Sequence, residues 1–315
     1  MPGPPPGRGD EGGGRAMKNV GAALGRVALN GAALLPFWVL YGISDIIFLL
    51  AYYVVRYRRS LVRSNLAACF PEKSDTERRH IERRFYRSLG DYAVETLKIA
   101  RMSDKIMRRH LTFENISEID DALDRGRSVA AYFSHCGQWE WVTSITLWSS
   151  HGRDPQTDFC QVYRPLRNKF FDKFFLRLRS HFGSFSLKKR EVARDLLKIK
   201  HAGRYSVTGF MSDQKPSHLD PVYVIKFLGR PTPVITGTEQ LARRMDMTVV
   251  YLDMFKERRG HYRVVVRKLS DNPSSLPEHD LTKRYFAMLE ETIRRNPAIW
   301  LWTHNRWKNH VTLNE

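Results

Sequence analysis

The stretch Ser-Val-Ala-Ala-Tyr-Phe-Ser-His-Cys-Gly-Gln-Trp-Glu-Trp, Ser128 to Trp141, decides how this chain is read. Its apolar opening, Ser128–Phe133, has the length of a buried strand rather than a helix. The run ends in Ser134-His135, and Gly137 lets the backbone turn tightly before a helix begins near Gln138. His135 and Glu140 stand in an H-x-x-x-x-E spacing. Inside one regular helix they would lie ~140° apart, off any common face. With His135 on the loop after a strand and Glu140 in the first helical turn, the two side chains can converge. A carboxylate on one imidazole nitrogen fixes the tautomer and raises the basicity of the other. That second nitrogen can take the proton of a hydroxyl attacking an acyl carbonyl. A structural hydrogen bond satisfies the same spacing. Cys136 is a poor rival nucleophile, because neighbours on an extended chain point apart. The histidines at His151, His181, His201 and His218 follow no ligand spacing, so no metal is expected.

Outward from this stretch, β-like runs alternate with helical ones. Strands are expected at Ser128–Phe133, Phe159–Tyr163, Tyr205–Phe210, Val222–Phe227, Thr248–Phe255 and Tyr262–Lys268. Helices are expected near residues 138–149, 168–181, 190–200, 237–245 and 281–295. Ser74 and Glu77 form a capping-box pattern that opens a long helix, along which Ile81, Phe85, Leu89, Tyr92 and Thr96 recur at helical spacing. The alternation indicates an α/β layer fold, a mixed central sheet flanked by helices. The expected organisation is a disordered tail over 1–16, a membrane-anchoring helix over 17–58, a helical linker over 59–110 and an α/β domain over 111–315.

The anchor rests on 18 uncharged residues from Val27 to Ser44, continued after Asp45 by the apolar and aromatic run Ile46–Val55. That length exceeds what a hydrocarbon core of ~30 Å needs. Pro36 and Gly42 predict a kink or tilt. Arg56, Arg58, Arg59 and Arg63 follow at once, which puts the body on the cytoplasmic side; Arg15, Lys18 and Arg26 on the other flank keep an in-plane helix open beside a spanning one.

Composition narrows the partners. The 315 residues are 42% hydrophobic and 27% charged, an ordinary globular balance. Lys plus Arg number 52 against 33 acids, a net +19 that calls for an anionic partner. Residues 161–204 alone hold 13 Lys and Arg against three acids. There Phe170, Phe171, Phe174, Phe175, Leu178 and Phe182 share one helical face, opposite Lys169, Lys173 and Arg177. Such a helix suits a membrane surface as well as a core-filling role. With no RNP sequence, zinc-finger spacing or helix-turn-helix signature, nucleic acid is not expected. Three cysteines, with no CxxC among them, fit a reducing compartment.

The His segment resembles the H-x-G-N-W-E-type signature of the lipid A late acyltransferases, bacterial inner-membrane enzymes of the lysophospholipid acyltransferase-like group. The likeness continues in order along residues 20–310. It includes Leu40-Tyr41-Gly42-Ile43-Ser44-Asp45, Asn65-Leu66, Phe70-Pro71 and Glu95-Thr96-Leu97-Lys98. It goes on through Val162-Tyr163-Arg164-Pro165, Ser212-Asp213-Gln214-Lys215-Pro216, Phe227-Leu228-Gly229 and Thr236-Gly237-Thr238-Glu239, to the run Trp300–Lys308. Gln138 departs from the usual Asn but keeps the amide. The resemblance implies transfer of a fatty acyl chain from acyl carrier protein to the hydroxyl of a 3-hydroxyacyl chain on a Kdo-bearing lipid A precursor, on the cytoplasmic side of the inner membrane. His135 is then the general base and Glu140 its orienting partner, with no covalent acyl-enzyme and no cofactor beyond the thioester co-substrate. Arg164 would hold a phosphate or carboxylate of the substrate, Asp213 and Gln214 would close the polar wall, and Arg306 would meet sugar acids or phosphates. Inner-membrane phospholipid completes the expected partners. The alternatives are the same reaction on another glycolipid or a lysophospholipid, or a membrane-tethered protein that binds anionic lipid or nucleic acid.

Overall fold

A computed structural model describes residues 29–217 and 220–308. The expected tail over 1–16, the start of the anchor up to residue 28, and His218 lie outside the described residues.

A seven-stranded sheet forms the centre, in the order β1-β9-β8-β2-β5-β3-β4. Its strands are β1 (Leu111–Glu114), β2 (Val129–Phe133), β3 (Thr157–Tyr163), β4 (Phe185–Lys188), β5 (Tyr205–Met211), β8 (Thr248–Arg258) and β9 (His261–Ser270). Every pairing is parallel except the β8–β9 hairpin. All six expected strands form, but β6 (Val222–Phe227) leaves the central sheet and pairs antiparallel with β7 (Arg230–Ile235). The sequence hid β7 because Pro231 and Pro233 lack the N–H donors a strand normally shows. β1 and β4 are four residues each, too short for a periodic signal.

β2 is buried at all five positions, as a strand covered on both faces must be. The segment that follows departs from expectation. Trp139–Leu147 forms a 3-10 helix, not an α-helix. Thr143 Oγ1 donates to the Glu140 carbonyl at 2.8 Å and Ser144 Oγ to the Trp141 carbonyl at 2.6 Å. Side-chain hydrogen bonds three residues back suit the tighter coil, and β-branched Val142, Thr143, Ile145 and Thr146 disfavour an α-helix.

The helices are α1 (Phe37–Leu49), α2 (Arg59–Cys69), α3 (Asp75–Lys98), α4 (Asp104–His110), α5 (Ser117–Asp124), α6 (Lys169–Arg179), α7 (Val192–His201), α8 (Gly237–Met245) and α9 (Asp280–Arg295). α3 opens on the expected capping box: Glu77 N–H donates to Ser74 Oγ at 3.3 Å, and Ser74 N–H to Glu77 Oε2 at 2.7 Å. α1 starts after Pro36 and runs into a π-helical turn, Leu50–Val54. The break in the apolar run therefore falls at 35–36, while Gly42 sits inside α1. Phe37–Val54 has the length and apolar character of a membrane anchor, with 22% of it buried. α1 packs antiparallel to α3, and a side chain at Gly90 would stand 2.8 Å from the Ser44 carbonyl. Only glycine permits that approach, which brings Ser44 Oγ to Asp91 at 2.8 Å. One continuous hydrophobic core links Phe48 on α1 to Trp307 near the carboxyl end.

Candidate active site

The site grows from one fact of register. β2 and β5 are parallel neighbours with Phe133 opposite Met211. Two residues beyond each lie His135 and Asp213, so the chain delivers them side by side at the carboxyl ends of adjacent strands. Open α/β sheets bind ligands at that edge.

The Asp213 carboxylate accepts three hydrogen bonds. His135 Nδ1 donates to Oδ1 at 2.8 Å, His135 backbone N–H to Oδ2 at 3.0 Å, and Trp300 Nε1 to Oδ2 at 2.9 Å. Burial of Asp213 raises its pKa, but the nearby His135 and these bonds outweigh that and hold it at about 2. With its proton on Nδ1, His135 keeps a lone pair on Nε2, which accepts from the Gln214 amide at 3.2 Å. The loop is clamped from the carboxyl-terminal side. Gly137 N–H donates to the Ile299 carbonyl at 2.9 Å and Leu301 N–H to the His135 carbonyl at 3.1 Å. Gly137 has φ +58°, and a Cβ there would stand 3.0 Å from Met254 Cγ, so the turn needs glycine on both counts.

The expected His135–Glu140 contact is not formed. Asp213 occupies the imidazole nitrogen that Glu140 was expected to hold, and Glu140 faces Arg179 on α6 instead. Arg179 Nε reaches Oε2 at 2.8 Å and Nη2 reaches Oε1 at 2.7 Å, a bidentate pair whose carboxylate is 3% exposed. The physical reason is charge. A buried carboxylate is costly unless paired, and a permanent guanidinium neutralises it better than an imidazole that is neutral part of the time. Gln138 also turns away from the cleft, donating to the Tyr92 carbonyl at 3.2 Å and to Glu95 Oε2 at 3.3 Å, so its amide ties the His loop to α3.

His135, Glu140, Arg164 and Gln214 line one cleft of about 840 Å³. Its apolar wall includes Val162, Phe175, Leu176, Phe210, Met211 and Leu241, and its rim carries Arg164, Arg167 and Lys215. These three cations have no carboxylate partner among the described residues, whereas Lys189 on the same rim is paired with Asp220 at 2.7 Å. α6 supplies part of the apolar wall. Of its residues only Leu178 is fully buried; Phe175 lines the cleft, Phe171 is exposed, and Phe174 packs partly buried against the core.

Arg306 does not join this cleft. It is 1% exposed, Nη2 donates to the Pro233 carbonyl at 2.7 Å, and Nε and Nη1 have no partner among the described residues. Burial pulls its guanidinium down to about 10, against the attraction of Asp213. The expectation that it meets substrate sugar acids is overturned by this enclosure. His304, two residues before it, accepts from Lys215 N–H at 3.1 Å, and burial lowers its pKa to about 4. Cys136 is buried too, and burial pushes its thiol up, away from nucleophilic use. Among the described residues no three His, Cys, Asp or Glu side chains gather as metal ligands would.

The pairing of an oriented imidazole with a long, cation-rimmed apolar cleft agrees with what known sequences indicate. The family model described as bacterial lipid A biosynthesis acyltransferase matches residues 14–309. The chain belongs to that family. It is an acyltransferase of the lipid A biosynthetic type, and its family is membrane-associated. Similar proteins include the lipid A biosynthesis lauroyltransferase of Escherichia coli K12, 24% identical over 278 residues and covering 87% of both chains. The palmitoleoyltransferase of the same organism is 24% identical over 282 residues, covering 87% of this chain and 86% of its own. A lipid A biosynthesis acyltransferase of Shigella flexneri matches to the same extent.

Sequence reasoning placed Asp213 and Gln214 in the polar wall but missed that Asp213 holds the histidine. It also missed Arg179. A buried carboxylate beside a dense run of cations was the available signal for Arg179, but thirteen cations share residues 161–204 and spacing does not choose among them.

Proposed function

We propose that this acyltransferase moves a fatty acyl chain from acyl carrier protein thioester to the hydroxyl of a 3-hydroxyacyl chain on a Kdo-bearing lipid A precursor, at the cytoplasmic face of the bacterial inner membrane. The observation that carries the reading is His135, with Nδ1 bonded to Asp213 at 2.8 Å and Nε2 turned to a cleft lined by both apolar and unpaired cationic side chains.

The acceptor hydroxyl displaces the Gln214 amide from Nε2. As its oxygen attacks the thioester carbonyl carbon, Nε2 takes the hydroxyl proton and Asp213 stabilises the imidazolium that forms. The tetrahedral adduct collapses, the C–S bond breaks, and the imidazolium returns the proton to the departing thiolate. Ester and thiol are the products, and no acyl-enzyme intervenes. A thioester is activated enough for a base-assisted hydroxyl, so the mechanism calls on no metal or further cofactor. The apolar wall suits the acyl chains, and Arg164 suits a substrate phosphate by bidentate contact. The Glu140–Arg179 pair fixes the wall beside His135. Acyl carrier protein and lipid phosphates are both anionic, which gives the +19 charge a use.

The test is mass spectrometry of the lipid products after membranes holding the protein are incubated with a Kdo-lipid A precursor and an acyl carrier protein thioester. A gain of one acyl chain, lost in His135→Ala while folding and membrane association survive, is expected; loss of at least ~100-fold is the size for a general base. An undiminished rate in the variant would overturn the role of His135. No gain with folded, membrane-bound wild type would overturn the acceptor.

A further inference from the structure

α1 and the residues just before it are strapped along α3. Lys98 Nζ donates to the Ala33 and Leu35 carbonyls at 3.0 and 2.7 Å, Tyr41 to Glu95 at 3.1 Å, and Ser44 to Asp91 at 2.8 Å. Beyond α1, Arg59 meets Glu82 at 2.9 Å. Residue numbers rise along the first segment as they fall along α3, so the two run antiparallel over a rise of roughly 25 Å. α3 carries Arg83, Arg84 and Arg87 and belongs to the globular core. A helix held this way cannot leave the body to cross a bilayer without dragging those charges with it.

The face of α1 turned from α3 is apolar and bare. Trp38 is 77% exposed, and Ile46, Leu49, Leu50, Tyr53 and Val54 continue the stripe. Beside this stripe lies a second cleft, of about 650 Å³, which shares no lining residue with the first. Asp45, Phe48 and Leu49 of α1 form one wall; Arg84, Arg87 and Asp91 of α3, Lys256–Arg259 of the β8–β9 hairpin and the segment around Ile299 complete the lining. Its acids are spent: Asp91 holds Lys256 at 3.1 Å, Asp45 holds Arg259 at 2.8 Å, and Glu257 holds Arg263 at 2.8 Å. Arg84 and Arg258 have no carboxylate partner among the described residues, and Arg87 only lies over the Phe48 ring at 5.1 Å. Three uncompensated guanidinium groups thus border an exposed apolar helix face.

We propose that α1 lies in the plane of the membrane surface and that this cleft binds the acidic headgroup of a membrane phospholipid, with Arg84, Arg87 and Arg258 meeting its phosphate and Leu49 and its exposed neighbours meeting the acyl chains. An apolar stripe edged by cations is what an interfacial helix presents to an anionic leaflet. The proposal does not depend on which lipid is acylated.

Two measurements on the full chain test it. The first is co-sedimentation with vesicles of phosphatidylcholine alone, and with vesicles in which a third of the lipid is phosphatidylglycerol. The acidic lipid is expected to raise binding of the wild type about tenfold or more. Arg84→Gln, Arg87→Gln and Arg258→Gln together should abolish most of that gain yet leave binding to neutral vesicles. Arg194→Gln, Lys198→Gln and Lys200→Gln on α7, with the same loss of charge, should keep it. Equal loss in both triple variants would mean net charge alone drives binding, and an unchanged gain in the first would remove the site; either overturns the proposal. So would stabilisation of the wild type by inorganic phosphate with no dependence on vesicle charge, which would make the cleft a free-anion site. The second is nitroxide depth in vesicles after labelling Ile46→Cys and Val54→Cys, the three native cysteines being buried. Equal depths are expected in-plane. A difference near ~12 Å, the rise over that interval, would mean a spanning helix.

Discussion

Two buried carboxylates, Glu140 lining the cleft and Asp213 behind His135, meet different partners. Asp213 and Glu140 are 2% and 3% exposed, and each is bonded to a nitrogen base. Asp213 holds an imidazole, whose second nitrogen stays free to accept a proton; Glu140 holds a guanidinium, which stays cationic throughout. The first couple can therefore take a proton from substrate and give it back. The second can only fix a wall. Burial and charge are shared, so the partner alone separates the pair proposed to react from the pair proposed to hold the wall.

The largest expected effect breaks the first couple. Asp213→Asn preserves shape but lets the amide favour the wrong imidazole tautomer, and acyl transfer is expected to fall by about 10³-fold or more with little change in substrate binding. Single-turnover assays read this directly, and a loss below tenfold would return Asp213 to a wall residue. The same residue makes a pH prediction. Its carboxyl titrates at about 2 in the fold against 3.8 ordinarily. A depressed folded value contributes stability that is fully present above the ordinary value and is lost as pH falls toward about 2. Acid unfolding of Asp213→Asn should show a shallower limb in that window.

Glu140→Gln probes the second pair and should act on stability before chemistry. Leaving Arg179 without its carboxylate costs about 3 kcal/mol, visible in thermal or urea unfolding. Adding Arg179→Met, which removes the stranded charge, should recover most of that loss. If instead Glu140→Gln keeps its stability and loses activity to the extent of His135→Ala, the two pairs are not distinct and Glu140 belongs with the base.

The smallest effect concerns the rim. Arg164→Ala is expected to raise KM for the phosphorylated acceptor about tenfold and leave kcat within a factor of two, the pattern of a contact made equally in ground and transition states. Steady-state kinetics decide it; a matching fall in kcat would move Arg164 into the reacting geometry.

Much of this was legible from residue order. The apolar run Ser128–Phe133, the turn at Gly137 and the regular spacing of later β-like runs located the sheet and put His135 at a strand end. The Ser74–Glu77 cap opened α3 where expected. What stayed hidden were the elements without periodicity: the four-residue strands β1 and β4, the proline-bearing β7, and the 3-10 helix after His135, which Thr and Ser side chains hold three residues back.

Local chemistry, then, was determined by sequence. Turn residues, caps and apolar periodicity act within a few positions of themselves, so the strand, the loop and the placing of His135 at the strand's end could be read in one dimension. The partners could not. Asp213 is 78 residues from His135, and Arg179 is 39 from Glu140. Only the parallel pairing of β2 with β5, and the laying of α6 along the cleft, decided which carboxylate met which base. The same holds for α1, whose apolar composition is legible in the sequence and whose packing on α3 is not. Electrostatic pairing follows distance in space, and a chain sets that distance only when it folds.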